Sequence, residues 1–444
     1  MSLEPSSSEL VEHFFRHEYG RLVATLVRRV GLQHLELVED SVQASLATAL
    51  TAWTTNGTPR EPGAWLFQVA LRNVLATLRA TTRHAALDGS VSAQEPLEPS
   101  PATFESEVSD ELLRMMFVCC HEDIADESRL VFALKTLCGF STSEIAARLF
   151  TSETNVQKRL QRARERLRHL PNAFEAQSLE ALAERLPSVH GVIYVLFNEG
   201  YLSTNAEYAI RAELCAEAIR LATVLARHSV GAAPSTFALL ALMHLHSARL
   251  GARQDATGGL LLLEEQDRAS WDTHHLQLGA TWLAQAARGE TVTRFHAEAG
   301  IAAEHCFAPS FEGTNWAAIA SLYATLERID PSPLHTLNRA VAVAQLEGPA
   351  VGLAMLEAVV PPPWLARHFL WDAVRADLAL RAGKVELGQL HRERALASAP
   401  SDAIRTALGR RLGVDPGSLR THEGPGGSRS SVPRPWGETG SRTS

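Results

Sequence analysis

Residues 140–168 read FSTSEIAARLFTSETNVQKRLQRARERLR. The pattern predicts two helices joined by a tight turn. Ser141 caps the first, and Glu144 three residues on completes a capping box. Phe140 and Ile145 are placed to close a hydrophobic staple over it. Ser152 caps the second helix, whose positive N-terminal end suits Glu153. On that helix Val156, Leu160, Ala163 and Leu167 fall on one apolar stripe. Thr154, Lys158, Gln161 and Arg162 point away from it, with Asn155, Gln157 and Arg159 on the flanks. Amides and hydroxyls early in the helix, with cations further along, suit the DNA major groove, where Gln, Asn and Arg pair with base edges and Lys and Arg bind phosphates. The candidate contacts are Ser152, Thr154, Asn155, Gln157, Lys158, Arg159, Gln161 and Arg162. The plainer alternative is a solvated helix with salt-bridged charges, against which stands the excess of Arg and Lys over Glu after Asn155. Phe150 and Thr151 occupy the turn, where a helix-turn-helix often uses Gly for its φ > 0 conformation.

Around this stretch lies a chain of 444 residues, enough for two to four domains. It is 45% hydrophobic and only 6% aromatic. Ala, Leu and Arg dominate, and no alternating β-branched run argues for a sheet, so an all-α fold is expected. The net charge of −8 excludes a globally basic DNA-coating protein, so DNA contact must come from local surfaces. Five cysteines at irregular spacing argue against a disulfide framework. The start, MSLEPSSSELVEHFF, does not read as a signal peptide, and no apolar run reaches membrane-spanning length. A soluble, cytoplasmic protein with no membrane contact is expected.

Residues 8–87 read as a first helical unit. Leu10, Phe14, Tyr19, Leu22, Leu26 and Val30 form a helical stripe that Gly31 ends. Leu37, Val38, Val42, Leu46, Ala49 and Leu50 face inward on the next helix, with Asp40 and Gln43 on its polar side. After a Gly/Pro loop, AWLFQVALRNVLATLRATTR makes a third helix from Ala64 to Arg83, where Arg72, Arg79 and Arg83 are candidate phosphate contacts. Residues 88–108, rich in Ser, Pro and Glu, read as a flexible linker. Residues 109–170 form a second helical unit that ends in the helix-turn-helix. Residues 171–412 are Ala/Leu-rich helices, and two stretches, 331–359 and 370–400, resemble degenerate tetratricopeptide pairs. Ala340, Ala344, Gly352, Ala376 and Gly383 are the small residues expected to let helices approach. An ordinary helical domain without repeats is the alternative. Residues 413–444 read as a disordered tail.

These pieces resemble bacterial sigma factors of the extracytoplasmic-function (ECF) group. EDSVQASLATALTAW, from Glu39, resembles the segment that docks on the β′ clamp helices of RNA polymerase, which implies core contacts at Asp40, Gln43, Leu46 and Trp53. PGAWLFQVALRN resembles the −10 reading and melting segment, which implies −10 contacts at Trp65, Arg72, Asn73, Arg79 and Arg83. The helix-turn-helix resembles region 4, which reads the −35 element. The remainder is similar to the tetratricopeptide-like extension of one subgroup, through LRMMFVCCH from Leu113, VIYVLFNEGY from Val192, RAELCAEAIRLA from Arg211, LLLEEQDRASWD from Leu261, TNWAAIASLY and PSPLHTLNRAVAVAQ. The fold implied is two small helical sigma domains, region 2 and region 4, followed by an α-helical extension. The function implied is non-enzymatic: promoter-specific transcription initiation with core polymerase (β′ clamp helices and β flap), on double-stranded promoter DNA and the melted −10 strand, with no cofactor. The sequence departs from the pattern at Ala76, where the family's melting helix usually carries Asp, and at Ala80, Thr81 and Thr82, in places often held by Arg. Fewer cations release fewer counterions, so a weak −10 grip is expected.

Other features have plain readings. Cys119, Cys120 and His121 lack a CxxC partner and read as buried thiols rather than a metal site. His244 and His246, and His274 and His275, lack i, i+4 ligand spacing. Asn198, Glu199 and Tyr201 read either as a partner surface or, with Gly200, as a helix cap; the cap is favoured. Glu264, Glu265, Asp267 and Asp272 read as a solvated face or as intramolecular contacts between the extension and the basic sigma regions. From another class, the rival reading is a stand-alone helix-turn-helix regulator with a helical-repeat interaction domain. A third is a helical scaffold with a vestigial DNA-binding module.

Overall fold

The computed structural model describes residues 7–87, 111–169, 179–203, 210–255 and 259–413. The expected linker and nearly all of the expected tail lie outside these residues, as do the side chains of Leu10 and Phe14. The fold is all-α. Among the described residues the β content is an isolated bridge between Gln254 and Leu260.

The first unit is α1 (Ser7–Val30), α2 (Leu35–Asn56) and α3 (Pro62–Leu87). Gly31 ends α1 at φ 97°, a conformation that a Cβ would penalise. Pro62 opens α3 at its first turn, where a missing N–H has no cost. Val38, Val42, Leu46, Ala49 and Trp53 are spaced four, four, three and four residues apart, and all are buried. The second unit is α4 (Glu111–Cys119), α5 (Asp126–Thr136), α6 (Thr142–Arg148) and α7 (Glu153–Arg168). Cys119 and Cys120 are fully buried in it as free thiols. Burial pushes the Cys120 thiol up to about 12, so it is inert at neutral pH.

The extension begins with α8 (Leu179–Tyr201), α9 (Ala212–Arg227) and α10 (Pro234–Ser247). It continues through α11 (Thr273–Ala286), α12 (Arg294–Phe307), α13 (Trp316–Ile329), α14 (Pro333–Glu347) and α15 (Pro349–Glu357). It closes with α16 (Pro363–Ala366), α17 (Phe369–Arg381), α18 (Val385–Ala397) and α19 (Asp402–Arg411). Successive helices pack as neighbours: α13 on α14, α14 on α15, α15 on α17 and α17 on α18. Gly352 permits one close approach, since a Cβ there would lie 2.4 Å from the Ala340 carbonyl oxygen. Gly383 does not serve the close packing expected of it. It sits in the α17–α18 turn at φ 77° with open space around it, and Gly388 makes the approach instead, against Leu380. Gly200 is likewise no helix cap. The helix runs on to Tyr201, and a Cβ on Gly200 would lie 2.7 Å from the Arg211 carbonyl oxygen and the Cys215 nitrogen.

The two N-terminal units share one hydrophobic core with the start of the extension, from Tyr19 through Phe132 and Ile193 to Cys306. This differs from the expectation of two independent modules on a tether. The physical reason is the fit of α1 to the second unit: Gly20 brings its backbone so close to the Leu137 carbonyl that an added Cβ would lie 1.9 Å from that oxygen. Arg28 pairs with Glu111 along the same seam.

Candidate nucleic-acid interface

The helix-turn-helix forms as its caps dictate. The Ser141 hydroxyl accepts from the Glu144 N–H at 3.1 Å, and the Glu144 carboxylate accepts from the Ser141 N–H at 2.7 Å. Phe140 and Ile145 are buried beside this box. The Ser152 hydroxyl accepts from the Asn155 N–H at 3.2 Å. Phe150 supplies the turn's positive φ, 51°.

On α7, Val156, Leu160, Ala163 and Leu167 are buried. Thr154, Gln157, Lys158, Gln161 and Arg162 are exposed and present amide, hydroxyl and cationic groups outward. Asn155 is half-buried, and its side-chain amide donates to the Thr151 hydroxyl at 2.8 Å. Ser152 is taken up as a cap. Arg159 pairs with Glu127 at 2.6 Å. The row facing away from the core is therefore free for a groove, while two of the flanking candidates are engaged within the fold.

Residues 114–167, essentially α4 to α7, match the family "Sigma-70, region 4". Residues 185–287 match a family of unknown function, DUF6596. An uncharacterised protein of Rhizobium meliloti (strain 1021) is 35% identical over 376 residues, covering 83% of this chain and 87% of that relative. The chain belongs to that protein's family. No solved structure matches it. With region 4 in place, the chain is an RNA polymerase sigma-factor-like protein, and region 4 is a DNA-binding module of transcription initiation rather than a catalytic one.

Elsewhere in this sigma-factor-like chain, Arg72, Arg79 and Arg83 are exposed on α3, with Trp65 half-buried and Asn73 half-buried. Steps of seven, seven and four residues set Trp65, Arg72, Arg79 and Arg83 along one stripe of the helix. The Trp65 ring meets Trp53 edge-on, 5.6 Å between centroids. On α2, Asp40 and Gln43 are exposed. Leu46 and Trp53, expected at a polymerase-docking surface, are instead core residues, 4% and 3% exposed. They continue the inward stripe, and burying a leucine side chain stabilises by about 1.5–3 kcal/mol.

The sequence reading missed the groups that tie the units together. Arg164 reaches Glu39 at 2.5 Å, and Arg168 reaches Glu36 at 2.8 Å. Glu39 is buried and also accepts from the Thr136 hydroxyl at 2.8 Å; desolvation raises its pKa. On the other side of region 4, Arg148 of α6 reaches the fully buried Glu199 of α8 at 2.5 Å and donates to the Leu202 carbonyl at 2.6 Å. Arg211 stands 3.5 Å from Glu144 and 3.8 Å from Glu199. Glu199 is thus neither a cap nor an exposed surface but a buried contact between α8 and region 4 of the same chain. Phe150 stacks on Trp364 of the extension at 4.6 Å. A signal for the first clasp lies in the spacing, two acids three apart on α2 and two arginines four apart on α7. By contrast, the acidic residues Glu264 and Glu265 pair with Arg411 and Arg410 of α19, and Asp267 and Asp272 cap the N–H groups of Ala269 and His275.

Proposed function

We propose that this chain is a cytoplasmic ECF-type sigma factor, with residues 8–87 as region 2, residues 109–170 as region 4 and a tetratricopeptide-like regulatory extension over 171–412. It binds core polymerase at the β′ clamp helices and β flap, reads −35 DNA with α7, and engages the melted −10 strand with Trp65 and the arginine stripe of α3. The observation that carries this reading is the free outward row of α7, Thr154, Lys158, Gln161 and Arg162, within a span that matches sigma-70 region 4. Asp40 and Gln43 are the residues of the α2 docking segment left on the surface. No helix among the described residues is long and apolar enough to cross a membrane.

The test is promoter-specific initiation in a reconstituted reaction with core polymerase. Lys158→Ala with Arg162→Ala should abolish start-site choice at a −35-dependent promoter while leaving polymerase association intact. Failure of the wild-type chain to join core polymerase would overturn the reading. It would favour the stand-alone regulator, whose case rests on the burial of Leu46 and Trp53 away from any docking surface.

A further inference from the structure

The extension gathers positive charge that makes no ion pair among the described residues; the exposed Glu312 acts on Arg268 only from beyond ion-pair distance. Arg249, Arg253 and Arg268 converge on a small aromatic cluster. The guanidinium carbons of Arg249 and Arg268 lie 5.6 and 4.7 Å from the Trp271 ring centroid. Arg253 lies 3.7 Å over Tyr201, whose ring is 4.7 Å from that of His246. All their hydrogen bonds go to neutral acceptors. Arg249 Nε donates to Gln266 Oε1 at 3.2 Å, and Arg253 Nη1 donates to the Tyr201 carbonyl. Arg268 Nη1 donates to the carbonyls of His305 and Ala308 at 2.6 and 3.0 Å. Among the described residues no carboxylate is within ion-pair distance of the three, and the terminal nitrogens of Arg249 make no hydrogen bond.

Donors are also left over. Arg268 Nη2 and Trp271 Nε1 are buried without a partner, as are the Nδ1 atoms of His246 and His305. Burial and the nearby arginines push His246 down to about 3 and His305 to about 4, so both rings are neutral at pH 7. A buried charge left unpaired costs several kcal/mol, and cation–π contact returns only about 0.5–2 of it per pair. Such an arrangement is completed by an anion.

His305 links this cluster to a cavity of about 280 Å³ lined by Phe311, Trp316, Ile319, Tyr323 and Asn338, with the mutually paired Glu264 and Arg411 also on its wall. That wall is mostly apolar. Arg249 is only 8% exposed, too recessed for the backbone of a duplex. A tetrahedral dianion accepts from several directions and answers more than one guanidinium, whereas a carboxylate offers one charge in one plane.

We propose that Arg249, Arg268 and the Trp271 indole N–H form the anion-holding end of a small-molecule site in the extension, whose ligand is a phosphate monoester with a compact apolar group in the neighbouring cavity. The site does not depend on the sigma-factor reading. Free phosphate shares the anionic chemistry, so the test separates the two sources. The full-length protein is dialysed against radiolabelled inorganic phosphate at constant ionic strength, with phenyl phosphate as competitor. One saturable site per chain is expected, with phenyl phosphate bound about tenfold tighter or more, equivalent to ~1.4 kcal/mol. Arg249→Gln should weaken binding by at least about the same factor. Arg268→Gln should do so too, but Arg268 also ties down α12, so Arg249→Gln, checked for native circular dichroism, is the deciding variant. Equal affinity for the two ligands would keep the anion site and overturn the part assigned to the cavity. Absence of saturable binding, or binding unchanged in folded Arg249→Gln, would overturn the site.

Discussion

Phe150 holds a backbone conformation that its side chain opposes, at φ 51°. A non-glycine residue in the left-handed region costs about 1–3 kcal/mol. Its ring is 41% exposed and stacks on Trp364, with His368 edge-on at 5.3 Å. A stacked aromatic pair returns about 0.5–1.5 kcal/mol beyond its burial. A double-mutant cycle of Phe150→Ala and Trp364→Ala, read by chemical denaturation of the whole chain, should give a coupling of about 1 kcal/mol; additive effects would mean the rings do not hold the turn to the extension. On α7, Arg162 is exposed while Arg159 is paired with Glu127. Arg162→Ala should therefore weaken −35 DNA binding more than Arg159→Ala and reduce the salt slope by about 1, measured by fluorescence anisotropy across salt concentrations. The caps Ser141 and Ser152 and the strained turn were legible in the sequence because each is set by residues within a few positions. The partners of Phe150 and Glu199 were not, because Trp364 and Arg148 lie far off along the chain and leave no local pattern.

Among the elements, α1 and α5 meet where Gly20 faces the Leu137 carbonyl. A methyl there must displace backbone, so Gly20→Ala should destabilise by about 1–3 kcal/mol, and hydrogen exchange should rise first along α1 and the end of α5. Unchanged exchange there would show that the seam relaxes without cost. The helical periodicity of α2 identified Val38, Val42, Leu46 and Ala49 as buried but wrongly turned Leu50 inward. Leu50 is 43% exposed because it follows Ala49 by one residue and so lies about 100° round the helix from it. The likeness to a docking segment assigned Leu46 and Trp53 outward roles. Periodicity reports burial within a unit; it is silent on which buried residues a partner reaches. On α3 the exposed cations Arg72, Arg79 and Arg83 stand without the extra arginines that Ala80, Thr81 and Thr82 replace. A promoter-binding titration should accordingly give a shallow dependence on salt, about 0.9 in slope for each phosphate contacted. A steep slope would show that other surfaces supply the missing charge.

At the scale of the molecule, His190 and His246 are buried and neutral, pushed down to about 4 and about 3 chiefly by desolvation. Unfolding returns each to an ordinary value near 6.5, so the unfolded chain binds more protons between there and the folded values. Stability is fully present above about pH 6.5 and falls as pH drops towards 4, by about 1.4 kcal/mol per pH unit for each histidine. Thermal melts from pH 7.5 to 5 should show this decline, reduced in His190→Gln. The helical class followed from composition and motifs, whereas the packing of the helices into a shared core rests on contacts that no single stretch encodes. One consequence concerns sequence of assembly. The same helix that exposes Asp40 and Gln43, the proposed polymerase contacts, also grips Arg164 and Arg168 through Glu39 and Glu36. On the proposed reading, whatever draws α2 onto the enzyme bears on the seat of α7 through these pairs, and by linkage DNA bound along the outward row of α7 bears equally on α2. Holoenzyme formation and promoter recognition then become two faces of one equilibrium.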